Sequence, residues 1–260
     1  VTGVLDAGQW ASGNQSGDFN YSYSVPMPPS VGGAVPNLTL GYSAQSVDGR
    51  VSSQNAQASV FGMGWDASPG YVQQNFMSCR EQTTDTALPL QLNQYADLCM
   101  ADPLATGETT YSLSLGGVTG RLFGSGSTYR LENDPGWRIT KGSDETWTVE
   151  TQDGTKYYFG LATNGPNGTQ QTNALWTVPV VQTTAGNACN VVAGGTCNKA
   201  WRANLAAVVD TNLNAQYYFY TKRTNSYQSK ARNTRLSYVR GGYLNEIRYG
   251  IGSSFADYAP

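Results

Sequence analysis

The 260-residue chain contains no histidine, and this absence removes most of the common catalytic machinery. A Ser-His-Asp or Cys-His nucleophile needs an imidazole as its general base, and many metal sites need an imidazole ligand. The sequence also has no acidic calcium loop and no glycine-rich phosphate-binding motif. We therefore expect no metal, no cofactor and no enzymatic activity.

Charged residues make up only 13% of the chain, and long apolar runs are absent. No stretch approaches the roughly 20 apolar residues that span a membrane, and no long window repeats apolar residues at helical spacing. The chain is instead rich in aromatic residues, with 17 Tyr, 7 Phe and 6 Trp, and in turn formers, with 30 Gly and 11 Pro. This pattern predicts an all-β fold of many short antiparallel strands and hairpins.

The four cysteines fall into two local pairs, Cys79 with Cys99 and Cys189 with Cys197. Neither pair has the Cys-x-x-Cys spacing of a zinc ribbon, so we predict a disulfide within each pair. Each bridge would stabilise the fold by roughly 2–4 kcal/mol. Disulfides persist in oxidising compartments, which predicts a secreted protein. The chain begins at Val1 without a signal peptide, so we expect a processed protein or a piece of a longer one.

Composition predicts three segments along the chain. Residues 1–18 are rich in Gly, Ser, Asn and Gln and form an entry arm, residues 19–145 form a β region with the first disulfide loop, and residues 146–260 form hairpins with the second disulfide loop. Residues 199–260 carry nine basic and three acidic side chains. This basic end favours contact with acidic parts of a larger assembly, and a nucleic-acid surface is the less favoured alternative.

Internal repetition is the most informative feature of the second half. Residues 147–159 and residues 205–220 both run from an apolar strand through an Asp-containing turn to an aromatic strand, and residues 242–249 start a third copy. The residues that carry the repeat are Asp153, Gly154, Tyr158, Leu205, Val208, Asp210, Asn214, Tyr218 and Tyr220.

These residues resemble the YD repeat of RHS proteins, whose core runs Leu-x-x-Ile-x-Asp, then Gly-Asn, then Tyr-x-Tyr. Leu213 stands where the repeat usually has Gly. Residues 19–43 and residues 61–65 are similar to the start of the RHS region in secreted actinobacterial RHS proteins and in the Tc-toxin B component. The resemblance covers nearly the whole chain from about residue 10 onward.

The resemblance implies a structural function. In this family, repeat strands spiral into a hollow β shell around a toxin or effector domain, and the N-terminal stretch begins or plugs that shell. The self-cleaving aspartate site of the family has no match here, so no catalytic residue is carried over. The implied partners are the remainder of the RHS polypeptide or its enclosed cargo domain.

Two other functions stay open. The six tryptophans could stack on sugars, which would make the chain a carbohydrate-binding or cell-surface-binding module. A glycoside hydrolase would need two carboxylates about 5–10 Å apart. The densest acidic groups are Glu132 with Asp134 and Asp144 with Glu145, and Glu145 near Trp147 could face a sugar. Charged turn residues between strands also explain these groups, and this is the favoured interpretation.

Overall fold

The computed structural model describes residues 8–12, 19–30, 35–44, 61–79, 97–99, 111–165, 168–181, 189–190, 194–230 and 232–252. Antiparallel β-strands dominate these residues, and no α-helix occurs among them. The all-β prediction is confirmed. Within the described residues, no helix is long and apolar enough to cross a membrane.

The strands are numbered in chain order. They are β1 (Gly8–Ser12), β2 (Phe19–Ser24), β3 (Thr39–Ser43), β4 (Trp65–Asp66), β5 (Gly70–Gln74), β6 (Met77–Ser78), β7 (Leu98–Cys99), β8 (Tyr111–Leu115), β9 (Val118–Ser125), β10 (Thr128–Leu131), β11 (Arg138–Lys141), β12 (Trp147–Glu150), β13 (Lys156–Phe159), β14 (Leu175–Val180), β15 (Cys197–Val209), β16 (Asn214–Ser229) and β17 (Thr234–Gly252).

A small sheet at the N-terminal end contains β1 to β4 in sequence order. Aromatic side chains of this sheet pack on one another. The ring centroids of Tyr21 and Trp65 are 5.9 Å apart, and those of Tyr42 and Trp65 are 5.4 Å apart. Gly62 and Gly64 have positive φ values of 113° and 80°, so the backbone can reverse just before Trp65. The two N-terminal stretches that carry the family resemblance therefore meet in this one sheet.

Eight strands form a closed, barrel-like sheet in the order β13-β12-β11-β10-β9-β8-β5-β15, and β15 pairs with β13 to complete the ring. The long strand β15 makes both closing contacts. Its residues from Arg202 to Asn204 pair with β5, and its residues from Leu205 to Val209 pair with β13. The ring crosses the predicted division after residue 145, because β11 and β12 pair along their whole length.

Alternate side chains of the ring strands fill the barrel, as the period-2 geometry of a strand requires. The largest fully buried ones include Leu113, Leu122, Val149 and Phe159. Burying each of these side chains contributes roughly 1.5–3 kcal/mol. The sequence pattern of aromatic and aliphatic residues at every second position is what allows this core to form.

Strands β14, β16 and β17 extend the sheet beyond the ring. β14 pairs with the N-terminal half of β15, and β16 pairs with its C-terminal half. β17 pairs along β16 to make a long hairpin. A second, smaller core lies on the outer face of β13, β15 and β16, where Tyr158, Tyr217 and Phe219 pack with three small or β-branched residues, Ala207, Val209 and Ala215.

Candidate functional site

The turn between β15 and β16 is organised by one carboxylate. Asp210 Oδ1 accepts hydrogen bonds from the backbone N–H groups of Asn212 at 2.9 Å and Asn214 at 2.8 Å, and Asp210 Oδ2 accepts one from Asn214 Nδ2 at 2.8 Å. Leu213 lies between them with a positive φ of 63°. A Gly at this position would adopt this left-handed backbone at lower cost than Leu does.

The turn between β12 and β13 repeats this design. Asp153 accepts hydrogen bonds from the Thr151 hydroxyl, from the Thr155 backbone N–H at 3.2 Å and from the Thr155 hydroxyl at 3.0 Å. Gly154 takes the positive φ of 81° that this turn requires. A Cβ at Gly154 would lie 2.8 Å from Thr211 Cγ2, so the two Asp turns pack directly against each other.

Both turn aspartates have a lowered pKa. For Asp153 the main cause is the hydrogen bond from the Thr151 side chain, followed by the two bonds from Thr155. For Asp210, desolvation acts in the opposite direction and raises the pKa, but the bonds from the Asn214 side chain and from the Asn214 and Asn212 backbones outweigh it. The turns are therefore built for ionised carboxylates.

Leu205 and Val208 both face the barrel core, although a spacing of three would put them on opposite faces of a regular strand. A bulge resolves the conflict. Tyr158 pairs with Ala207 and Phe159 with Leu205, which leaves Ala206 as an extra residue on β15. The Leu-x-x-Val spacing of the repeat thus encodes a bulge rather than a helical turn.

The third copy of the repeat also contains a β-bulge. On β17, Phe219 pairs with Glu246 and Tyr220 with Leu244, so Asn245 is the extra residue. Leu244 and Ile247 consequently lie on one face, and both pack against the barrel core. Leu244 follows Leu205 by 39 positions, and Ile247 follows Val208 by the same interval.

Neighbouring copies meet in a constant register. Tyr157 pairs with Val208 and Phe159 with Leu205 where β13 meets β15. Tyr218 pairs with Ile247 and Tyr220 with Leu244 where β16 meets β17. In both cases an aromatic-x-aromatic strand lies opposite the bulged Leu-x-x-Val or Leu-x-x-Ile strand of the next copy. This cross-strand pattern is the repeating unit of the structure.

Two aromatic residues of the second copy are buried with their hydroxyls bonded. Tyr218 donates to Gln216 Oε1 at 2.7 Å, and Tyr220 donates to the Leu205 carbonyl at 2.8 Å. Burial raises the pKa of both phenols. Tyr158 of the first copy lies on the opposite face, in the second core, and Tyr157 and Phe159 take the positions that match Tyr218 and Tyr220.

The cysteines form the two disulfides that the sequence predicts. Cys79 joins Cys99 and Cys189 joins Cys197, each with 4.9 Å between the Cα atoms. The first bridge fastens the short β6–β7 hairpin, which continues into the main fold because the Val181 N–H donates to the Leu98 carbonyl at 3.0 Å. The second bridge lies at the start of β15.

Glu145 forms ion pairs and does not face a second carboxylate among the described residues. Its carboxylate lies 2.9 Å from Lys199 Nζ and 3.6 Å from Lys141 Nζ. Lys141 Nζ in turn lies 5.7 Å from the ring centroid of Tyr111 and 5.9 Å from that of Trp147. This cluster closes one part of the barrel with paired charges over aromatic rings.

The remaining acidic candidates belong to turns. Asp144 Oδ1 accepts hydrogen bonds from the backbone N–H of Thr146 at 3.3 Å and from its hydroxyl at 2.6 Å. Asp134 Oδ1 accepts one from the Gly136 N–H at 2.8 Å. Each carboxylate accepts a hydrogen bond from a backbone N–H group in the turn between two strands. This is an ordinary role for aspartate in turns.

Arg202 is a partly buried residue that sequence reasoning missed. Its guanidinium carbon lies 3.7 Å from the Tyr71 ring centroid, and its Nε donates to Asn204 Oδ1 at 3.1 Å. Desolvation lowers its pKa. The available signal was the alternation of Arg202 and Asn204 with the apolar residues Trp201, Ala203 and Leu205.

No protein family and no curated protein matches the sequence. Among solved structures, a chain of the Tc holotoxin pore of Photorhabdus luminescens is 16% identical, with a TM-score of 0.46, over 97% of this chain and 10% of that one. TcdB2-TccC3 is 16% identical with a TM-score of 0.44, over 97% of this chain and 11% of that one.

The N-terminal domain of effector protein SpvB from Salmonella typhimurium is 13% identical to this chain, with a TM-score of 0.44. The match covers 88% of this chain and 64% of that one. The chain thus spans about a tenth of the length of the two Tc chains and just under two thirds of the SpvB domain.

Proposed function

We propose that this chain is a non-catalytic structural segment of a secreted RHS/YD-repeat protein, forming the beginning of a β shell that encloses or delivers a toxin or effector domain. The observation that carries this proposal is the constant register between copies. Tyr157 and Phe159 lie opposite one bulged strand, and Tyr218 and Tyr220 lie opposite the next. A register that recurs can be extended by further copies.

The pairing of β17 supports extension of the sheet by further strands. Within the described residues, β16 is the only strand that pairs with β17, so no second strand lies along the other edge of this 19-residue strand. Leu205 and Val208, on a strand paired on both edges, are buried, whereas Leu244 and Ile247 are half-buried. A further strand on the outer edge of β17 would complete the burial of the third copy.

The two disulfides support secretion. Cys79, Cys99 and Cys189 are buried, so each bridge is part of the packed structure. Bridges of this kind form and persist outside the reducing cytoplasm.

The ion pairs of Glu145 support a structural role. Glu145 lies within ion-pair distance of Lys141 and Lys199, and these contacts hold its side chain in place between strands. The partners we propose are the remainder of the polypeptide and an enclosed cargo domain.

Reading the encoding gene beyond the codon of Pro260 tests this proposal. We expect further copies that contain Leu-x-x-Val or Leu-x-x-Ile, an Asp-containing turn and an aromatic-x-aromatic strand. A stop codon directly after Pro260, or a following sequence with no such copy, would overturn it.

A further inference from the structure

The tip of the β16–β17 hairpin packs against a distant part of the chain. Ser229, the last residue of β16, is 0% exposed. The backbone N–H of Lys230, the next residue, donates to Asp97 Oδ2 at 3.1 Å. Asp97 directly precedes β7, so a segment 133 positions away along the chain holds the hairpin tip.

Asp97 also contacts a second residue near the tip. Its side chain is 3% exposed and forms a hydrogen bond with the side chain of Tyr227. Burial, followed by the charge of Asp97 and this hydrogen bond, raises the pKa of Tyr227 to about 12. The phenol therefore keeps its proton at neutral pH and donates it to the carboxylate. One buried carboxylate thus binds both a backbone group and a side chain of the hairpin.

The Cys79–Cys99 disulfide fixes the position of Asp97. β6 and β7 contain two residues each, and the Cys79 N–H donates to the Asp97 carbonyl at 2.8 Å. An isolated pair of strands is at best marginally stable in water, even when it is longer than this one. The covalent bridge between the two strands therefore keeps Asp97 beside the hairpin tip.

The Cys189–Cys197 disulfide closes a loop that contacts the same tip. Gly194 lies inside this loop with a positive φ of 77°, and a Cβ there would lie 2.7 Å from Arg232 Nη1. The guanidinium of Arg232 thus packs directly against the loop. The Arg232 N–H donates to Ser229 Oγ at 3.1 Å, which connects this contact to the end of β16. Both disulfide loops therefore meet at one hairpin tip.

The two bridges differ in their access to solvent. Cys79 and Cys99 are 0% and 2% exposed, whereas Cys197 is only partly buried. Thiol–disulfide exchange requires a thiolate to approach a sulfur directly, so its rate depends on this access. The Cys189–Cys197 bridge should therefore be reduced first.

We propose that the hairpin tip is a redox-sensitive latch, which is closed while both bridges are intact and opens when a small dithiol reduces them. A thiolate of the reductant attacks Cys197 Sγ, the S–S bond breaks and Cys189 leaves as a thiolate. The second thiol of the reductant then displaces Cys197 and closes a disulfide within the reductant. Two electrons pass to the protein, and each cysteine takes up a proton and ends as a thiol.

The Cys79–Cys99 bridge opens by the same exchange, and the position of Asp97 beside the tip is then no longer fixed. The hydrogen bonds from Tyr227 and Lys230 are lost with it. The latch does not depend on the repeat copies, so its failure would leave the shell proposal intact.

Hydrogen exchange in the full 260-residue chain, with and without dithiothreitol, tests the latch. The reporters are the amides of Lys230 and Arg232, and the amides of Leu113 and Leu122 in the ring are the references. We expect both reporters to exchange about tenfold faster after reduction, while the references stay unchanged. If the references accelerate as much as the reporters, reduction unfolds the ring as well, and the proposal of a latch fails.

Alkylation of free thiols followed by mass spectrometry measures the order of opening. Cys189 and Cys197 should be labelled before Cys79 and Cys99. Labelling in the reverse order would contradict the proposal.

D97A opens the latch without reduction, because it removes the acceptor and leaves both bridges intact. It should speed exchange of the Lys230 amide about tenfold in the oxidised chain. D134A is the matched control, since Asp134 bonds the Gly136 N–H in the turn between β10 and β11, and it should leave the Lys230 amide unchanged. Equal exchange of the Lys230 amide in the oxidised, the reduced and the D97A chain would overturn the proposal.

Discussion

The closed ring of β5, β8 to β13 and β15 differs from the β16–β17 hairpin in whether each strand has a partner strand along both of its edges. Every ring strand has a partner on both sides, and its inward side chains are buried. On β16 the residues from Ala215 to Tyr220 are buried, whereas those from Arg223 to Asn225 are exposed. A ring satisfies its own backbone groups, whereas in the described part of the chain the outer edge of β17 has no partner strand.

This difference suggests separate roles for the two regions, with the ring stabilising the fold and the hairpin serving the assembly that we propose. The ring contains the main hydrophobic core and should determine whether the chain folds. The middle of β16 contributes little burial, and under the proposed function the hairpin would join the next copy. Substitutions in the two regions should therefore have unequal effects, which the following predictions rank from the largest to the smallest.

The largest loss of stability should come from the ring core. F159A removes a side chain that is 0% exposed and should lower the free energy of unfolding by about 3–5 kcal/mol. F123A removes the same side chain from a position that is 43% exposed and should cost within about 0.5 kcal/mol. Urea unfolding followed by tryptophan fluorescence measures both. Because both residues lie on ring strands, equal losses would show that burial inside the ring does not determine the cost.

Removing the disulfides should come next. Replacing Cys79 and Cys99 by serine opens a loop with a sequence separation of 20 and should cost about 3 kcal/mol, whereas the Cys189–Cys197 pair, with a separation of 8, should cost about 2.5 kcal/mol. Thermal midpoints of the two double-serine variants should fall in that order. Midpoints identical to the parent's would contradict a structural role for the bridges.

The turn aspartates should have a smaller, pH-dependent effect. D210A removes three hydrogen bonds to Asn212 and Asn214 and should cost about 2 kcal/mol at neutral pH. D153A, in the matching turn, serves as the comparison. Because the folded-state pKa of each carboxyl is below its ordinary value of 3.8, the stabilisation is present above that value and is lost as the pH falls through the lowered pKa.

Urea unfolding from pH 7 to pH 2 measures this dependence. D153N and D210N should each remove part of the loss of stability that the parent shows below pH 3.8. If the variants lose stability on acidification as steeply as the parent does, these two carboxylates are not responsible.

Two substitutions compare the left-handed positions of the turns. G154A should destabilise by about 1–2 kcal/mol, because its φ is 81° and the new Cβ would lie 2.8 Å from Thr211 Cγ2. L213G should instead be neutral or stabilise by about 0.5 kcal/mol, since it restores the residue that tolerates a φ of 63°. Thermal unfolding distinguishes the two signs, and a destabilising L213G would mean that the exposed leucine makes contacts worth more than the strain.

Local pattern was sufficient to predict the fold class and several hairpins. Polar and apolar residues alternate over residues 111–115 and 119–123 on either side of Gly116 and Gly117, and the structure pairs Leu115 with Val118 across that turn. Period-2 alternation and turn chemistry are properties of neighbouring residues, so a single sequence contains them.

Closure of the ring could not be predicted in the same way. The pairing of Val72 with Ala203 joins residues more than a hundred positions apart, and nothing near either residue specifies the other. The bulges at Ala206 and Asn245 could not be predicted from the sequence for a different reason. The repeat spacing was visible in the sequence, but only the pairing partner shows that one residue is extra.

The outer edge of β17 offers the most direct test of the assembly account. Hydrogen exchange would be measured in the 260-residue chain and in a polypeptide extended through the residues encoded after Pro260, with the amides of Leu113 and Leu122 as internal references. We predict that the β17 amides that point away from β16 exchange at least about a hundredfold more slowly in the extended polypeptide, while the references stay unchanged. Equal exchange of those amides in both polypeptides would contradict the account.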